Sequence, residues 1–329
     1  MMFESENNRA KAELNQSQSQ SQLNLPDLKI AIVGDVHDQW DENDRDALHA
    51  LNVDLVLFVG DFGNESVNIV RQVASVDIPK AIILGNHDAW YSSTRKGQEN
   101  SPYDRNLEDR LQQQLDLLGE THVGYGKLDF PELDLSIVGG RPFSSGGPEW
   151  NNRRFYRDRY GIHNITESTA KIVESIESAT CSRRILISHN GPAGLGAEAH
   201  DLCGKDWEPI GGDHGDPDLQ AAIGQTFSIG KPLSLVTFGH MHHRLRNRLG
   251  DRKRWSVTKE TAYLNAACVP RVLKTETGIQ RLFSVVTLQG HAIISAVIVR
   301  LDARHQVCYQ DDLLVSEVVS KVSDTIGLS

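Results

Sequence analysis

Five short polar clusters carry most of the chemistry this sequence can do: Asp35-Val36-His37, Gly60-Asp61, Gly85-Asn86-His87-Asp88, His189-Asn190-Gly191 and Gly239-His240-Met241-His242. Each stands where an apolar run stops. An aspartate and a histidine two apart on an extended segment point the same way, so Asp35 and His37 can grip one cation, and His240 and His242 repeat the spacing. Imidazole mixed with carboxylate suits manganese, iron or zinc better than calcium. A carboxylate such as Asp61 can give one oxygen to each of two ions, the arrangement two-metal hydrolysis requires. A lone Asp-x-His is more often a turn or a cap than a ligand. Five such clusters with one placement are harder to explain that way.

The elements that must position these clusters follow from the hydropathy pattern. Runs 28–35, 54–61 and 81–88 read as buried strands, with helices over 41–51 and 65–74 between them, which is α/β layering. Ligands of open α/β sheets gather at strand ends, where Asp35, Asp61 and Asn86 fall. Further along, 107–118 and 165–178 read as helices. Segments 121–130 and 133–140 read as an antiparallel pair turning at Pro131. Strands over 184–188 and 233–240 end in His189 and His240, a helix is expected near 218–223, and strands over 263–267, 281–288 and 292–299 complete a second set. A helix over 311–322 would cover an edge. Residues 1–26, rich in Gln, Ser and Asn, offer little surface to bury and read as a disordered tail. Residues 27–329 read as a single domain carrying an insertion at 141–161 and a long Gly/Asp-rich loop at 190–217.

The clusters, in order, resemble the blocks of the calcineurin-like metallophosphoesterases: DVH, GDFGN, GNHD, SHN and GHMH stand where that family has D-x-H, G-D-x-x-D/N, G-N-H-D/E, a lone histidine and G-H-x-H. The resemblance covers about residues 28–267 and implies a four-layer α/β/β/α sandwich with a dinuclear centre. By position it implies that Asp35, His37, Asp61 and His242 hold one divalent ion (Mn²⁺, Fe²⁺ or Zn²⁺) and Asp61, Asn86, His189 and His240 the other. It implies hydrolysis of a small organic phosphate monoester, with hydroxide between the ions attacking phosphorus. His87 would protonate the leaving oxygen and Asp88 would orient His87. Asn64 stands where purple acid phosphatases have a tyrosine and where the commoner block has a second aspartate, and no arginine follows it as in serine/threonine protein phosphatases. Together with Arg141, it is a candidate for contact with substrate. The stretches SHNGPAGLG, DLCGKDW and GGDHGDPDLQ are similar to a cyanobacterial and plastid subgroup.

Composition narrows the alternatives. With 34 basic and 44 acidic residues the chain carries a formal charge of −10, which argues against a protein that coats nucleic acid. A basic stretch from Arg244 to Arg254 keeps a nuclease or phosphodiesterase as an alternative with nucleic acid as a less favoured partner; a non-catalytic metal-bound scaffold is another. Four cysteines without a C-x-x-C pair fit a reducing compartment and a cytoplasmic protein. No apolar run is long enough to span a bilayer, so no membrane partner is expected. Oligomeric state is left open. Among weaker signals, Arg153 and Arg154 are further phosphate-clamp candidates, Trp40 and Trp90 could flank the pocket, and Asp213-His214-Gly215-Asp216, with Cys203 and His200 nearby, could bind a third cation. His243 should face away from the His240/His242 site.

Overall fold

The computed structural model describes residues 25–246, 250–258, 261–276 and 278–315. Two sheets form its frame. The first contains β1 (Leu28–Val33), β2 (Leu55–Phe58), β3 (Lys80–Ile82), β10 (Val272–Thr275), β11 (Gly278–Gln289), β12 (Ala292–Leu301) and β13 (Val307–Asp312). Its order is β13-β12-β11-β1-β2-β3, with β10 also paired to β11. The second contains β4 (Lys127–Phe130), β5 (Leu135–Gly139), β6 (Arg183–Ile187), β7 (Leu235–Phe238), β8 (Trp255–Thr258) and β9 (Thr261–Asn265), in the order β4-β5-β6-β7-β9-β8. The helices named here are α1 (Glu42–Leu51), α2 (Val67–Ala74), α3 (Trp90–Ser93), α4 (Arg95–Glu99), α5 (Arg110–Leu118), α6 (Arg153–Tyr160), α7 (Ile165–Ser178) and α8 (Pro217–Gln225).

The strands β1, β2 and β3 run parallel, as do β5, β6, β7 and β9. Strands of this kind are buried on both faces, so their sequences are mainly apolar, with polar residues such as Lys29, Lys80 and Arg183 at or near the strand starts, and alternation decides which core each apolar residue joins. Ile30, Ile32, Leu55 and Leu57 meet Leu135, Ile137, Ile185, Ile187, Leu235 and Leu264 in a core between the sheets. Their neighbours Ala31, Val33, Val56 and Phe58 point the other way, onto Ala47, Leu48 and Leu51 of α1, Val70 and Val73 of α2, and Leu111 and Leu118 of α5. On the far side, Val138, Leu186 and Val236 receive Ile172 and Ile176 of α7 and Leu219, Ala222 and Ile223 of α8. Three cores separate four layers in the order α/β/β/α, the expected architecture.

Local chemistry sets the helix starts. The Asp41 side chain accepts from the Asn43 N–H while Asp44 reaches back to the Asp41 N–H, a reciprocal cap that begins α1. The side chain of Asn164 caps α7 through the Glu167 N–H, and Asp109 caps α5 through the Gln112 N–H. That last cap explains why α5 starts later than residue 107; Leu107 is 86% exposed and lies outside the apolar stripe.

Other boundaries are corrected too. The strand expected to reach Asp88 ends at Ile82, and Asn86 to Asp88 lie in a tight turn. Asp311 and Asp312, expected to open a helix, instead close β13, and residues 316–322 of that helix lie outside the described residues, as do 1–24 of the tail. Strands β8 and β10 were not foreseen. No helix among the described residues is long and apolar enough to cross a membrane.

Candidate metal centre and phosphoester pocket

The five clusters converge on one end of the sandwich, just beyond the carboxyl ends of β1, β2, β3, β6 and β7. Backbone hydrogen bonds stitch the emerging loops together: the Asp35 N–H donates to Gly60 O at 3.0 Å, the His37 N–H to Asp61 O at 2.8 Å and the Gly239 N–H to His189 O at 2.8 Å. The expected reason for convergence was strand alternation. The structure replaces it: Asp35, His37, Asp61 and His240 all have left-handed backbone, with φ of 51°, 44°, 57° and 65°. Sharp turns, and not extended chain, bring the donors inward. Gly85 is required for the same reason, because a Cβ there would sit 2.6 Å from the His189 ring and closer still to the Asp61 carboxylate.

Two donor sets result. Asp35, His37 and His242 form one, and Asp61, His189 and His240 the other, with the donor atoms of each set within 4.8 Å of one another. In the first, His37 Nε2 lies 3.2 Å from His242 Nε2, and these nitrogens are 3.8 and 3.5 Å from Asp35 Oδ1. Asp61 spans both sets, its Oδ1 at 3.3 Å from His189 Nε2 and its Oδ2 at 4.0 Å from His37 Nε2. Asn86 Oδ1 adds a neutral oxygen 2.9 Å from His189 Nε2. His189 Nδ1 faces Val59 O at 2.8 Å and donates to it, which presents Nε2 to the site.

This donor set fits two cations. Asp35 and Asp61 are buried carboxylates, at 1% and 2% exposure, yet among the described residues neither pairs with a lysine or arginine. Buried charge of that kind needs a partner. Histidines alone answer it here: burial lowers the His189 pKa, but Asp61 more than offsets this and pushes it up to about 10. Burial opposes ionisation of Asp61, and His189 and its neighbours hold it well below the usual carboxylate range. His240, also buried, is pushed down to about 3.

A cavity of about 320 Å³ opens onto these groups, lined by Asp61, Asn86, His87, His240 and His242 and also by Trp207, His214, Arg244 and Arg246. His87 Nδ1 is 2.6 Å from Asn64 Oδ1, and the His87 ring stacks on Trp90 with centroids 5.7 Å apart. Asn64 therefore orients His87. Asp88, expected to do so, has another task. Its Oδ2 accepts from the Asp61 and Gly85 N–H groups at 2.9 and 2.7 Å, and its Oδ1 from the Phe62 N–H at 2.8 Å. It ties the β2 loop to the β3 loop, and burial together with Asp61 raises its pKa.

Several weaker expectations are also corrected. Arg141 does not line the cavity: it is 3% exposed, and its guanidinium meets Asp216 at 2.8 Å and Asp218 at 3.0 Å. Arg153 and Arg154 lie on α6, with Arg154 paired to Asp158. Trp40 is a core residue packed against Phe58. Asp213 accepts the Gly194 and Gly215 N–H groups as a turn tie. No donor cluster beyond the two above occurs among the described residues. His243 does face away, with Nε2 2.8 Å from Asn265 O and Nδ1 3.4 Å from Cys268 Sγ. Trp207 and Asp206 close the stretch DLCGKDW, which the sequence sets apart only by its similarity to a subgroup and not as a lining of the pocket; the basic run following Gly239-His240-Met241-His242 was the other signal for it.

A family profile for calcineurin-like phosphoesterases matches residues 28–244, and the chain belongs to that family. It is similar in structure to a dimetal phosphatase from Danio rerio, at 13% identity and a TM-score of 0.40 over 82% of this chain and 95% of that one. A metallophosphoesterase from Sphaerobacter thermophilus gives 15% identity and 0.34, over 85% and 90%. A structure described as a novel archaeal phosphodiesterase gives 10% and 0.33, over 87% and 100%. No match is found among curated protein sequences.

Proposed function

We propose that this calcineurin-like phosphoesterase hydrolyses a small phosphate monoester with two divalent ions. The observation that carries the reading is Asp61, a buried carboxylate with one oxygen facing each donor set. Asp35, His37, Asp61 and His242 would hold one ion and Asp61, Asn86, His189 and His240 the other. Bound there, the ions would supply positive charge to the phosphoryl oxygens and lower the pKa of water to be used as nucleophile.

The remaining work falls to this chain's own residues. His87 lines the cavity with Nδ1 held by Asn64, which leaves Nε2 to meet the leaving oxygen and give it a proton. Trp90 behind the ring limits its rotation. Because Asp88 fixes the backbone of Asp61 and of Gly85, the bridging carboxylate and the loop bearing His87 are held as one unit. The 320 Å³ volume matches a small organic ester.

The test is hydrolysis of 4-nitrophenyl phosphate and bis(4-nitrophenyl) phosphate by the full chain reconstituted with Mn²⁺, beside a chelated control and Asp61→Asn. Monoester turnover that disappears with chelation and falls at least about 100-fold in Asp61→Asn is expected. Turnover of the diester alone would replace this reading with a phosphodiesterase. Two bound ions without turnover of either would make the protein a scaffold.

A further inference from the structure

The part of the cavity lined by Trp207, Arg244 and Arg246 carries charge that the hydrolytic chemistry leaves unused. Three arginines, Arg244, Arg246 and Arg252, follow His242 and line it. Arg252 is committed to the interior: its Nη1 donates to Ala199 O, Asp201 O and Gly204 O, its Nε to His242 O, and its Nη2 lies 3.5 Å from Asp206. Asp206, the one acid on this wall, is thereby occupied, and it also accepts the Arg246 N–H at 2.9 Å. Arg244 and Arg246 differ from Arg252. Both are exposed, and among the described residues neither side chain has a carboxylate partner or a hydrogen-bond acceptor. The Arg246 guanidinium lies over Trp207, 5.1 Å from the ring centroid, which orders it without consuming its donors. Trp207 in turn packs edge to face on His214 at 4.7 Å, and His214 stacks over His240 at 6.2 Å. The wall is therefore built onto the metal centre through a chain of rings.

Two free forks beside a phosphoryl site, in a chain of net charge −10, form a local anion trap that overall charge does not account for. We infer that the substrate's leaving group carries a second anionic group, a phosphate or a carboxylate, which Arg244 and Arg246 bind while the scissile phosphate lies at the Asp61 end of the cavity. The inference rests on the phosphoesterase reading and names its substrate class. Arg244 and Arg246 line the same cavity of about 320 Å³ as Asp61 and His242, so the two anions belong to one small molecule.

Equilibrium binding to the Mn²⁺-loaded full chain tests this without turnover. The probes are propylphosphonate, propane-1,3-bisphosphonate, pentane-1,5-bisphosphonate and 4-phosphonobutanoate. At least one doubly anionic probe is expected to bind about 10- to 100-fold more tightly than propylphosphonate, the gain of one or two charge-assisted hydrogen-bonded contacts. A bisphosphonate or the carboxylate as the preferred probe tells the two kinds of second anion apart. In Arg244→Ala/Arg246→Ala the preference is expected to fall to within about twofold, and steady-state competition against 4-nitrophenyl phosphate should show the same loss. Equal binding of all four probes by the wild type, or a preference that survives in the double variant, overturns the inference. Failure to hydrolyse any ester while the arginine-dependent preference persists overturns the phosphoesterase reading and leaves the anion site standing.

Discussion

Asp88→Asn separates two roles that the GNHD block could assign to its acid. The exchange keeps shape and volume and removes only charge and one acceptor, so no cavity is created. The carboxylate takes three buried backbone N–H groups, two on Oδ2 and one on Oδ1. An amide can satisfy the Asp61 and Gly85 donors with its oxygen, but its NH₂ then faces the Phe62 N–H. One backbone donor loses its partner and a second buried donor is added, each costing about 1–3 kcal/mol. A total loss of about 2–5 kcal/mol follows, measurable by urea unfolding in chelator, where ion binding cannot mask it. Turnover should fall as well, since the Asp61 backbone is no longer fixed against the His87 loop. Asn64→Ala is the matched contrast, because the side chain of the exposed Asn64 hydrogen-bonds only His87 Nδ1 among the described residues: stability within about 0.5 kcal/mol of the wild type, with kcat lower by about 10-fold or more. If Asp88→Asn unfolds within about 0.5 kcal/mol of the wild type, its carboxylate is not the tie and the argument fails.

Arg141→Met should destabilise by about 3–5 kcal/mol in urea unfolding, because it strands Asp216 and Asp218 without the cation that pairs with both among the described residues. A variant that folds normally but binds substrate poorly would return Arg141 to substrate contact. His243, buried and flanked by Arg254, has its pKa pushed down to about 3, so the folded protein binds fewer protons there than the unfolded chain. Its contribution is fully present above about pH 6.5 and is lost as pH falls below that value, by about 2 kcal/mol at pH 5. His243→Gln should therefore show a shallower decline of stability between pH 7 and 5 than the wild type; parallel curves would count against it.

The part of this fold legible in the sequence is the part buried on both faces. Apart from Lys29, β1 and β2 are apolar because helices cover one side and the second sheet the other, and such runs end abruptly where Asp35 and Asp61 begin. β13 gave no such signal: its residues Val307 to Gln310 are exposed, so neither alternation nor a continuous run marks an edge strand, and its acidic end resembles a helix start. Arg141 was misread for a related reason. It follows a strand end as the ligands do, but its partners lie 75 and more residues away in a loop whose path no local pattern discloses. Trp207 lay in that same loop.

The geometry of the ligands was hidden for a different reason, since it depends on backbone that the residue types disfavour. Left-handed conformation at Asp35, His37, Asp61 and His240 costs of order 1 kcal/mol or more at each, most at the histidines. Side-chain carboxylates help hold two of these turns, since Asp88 accepts the Asp61 N–H and Asp35 accepts the His240 N–H, while Asp61 accepts the His87 N–H in the neighbouring loop. Each of these acids accepts at least one backbone N–H, and Asp88 accepts three, from two loops. For Asp35 and Asp61, further oxygen lone pairs remain for the centre. Asp35 thus restrains the His240 turn and also supplies a donor, and losing Asp88 would relax the backbone of Asp61, which supplies another. Mutational effects among Asp35, Asp61 and Asp88 should for that reason be far from additive.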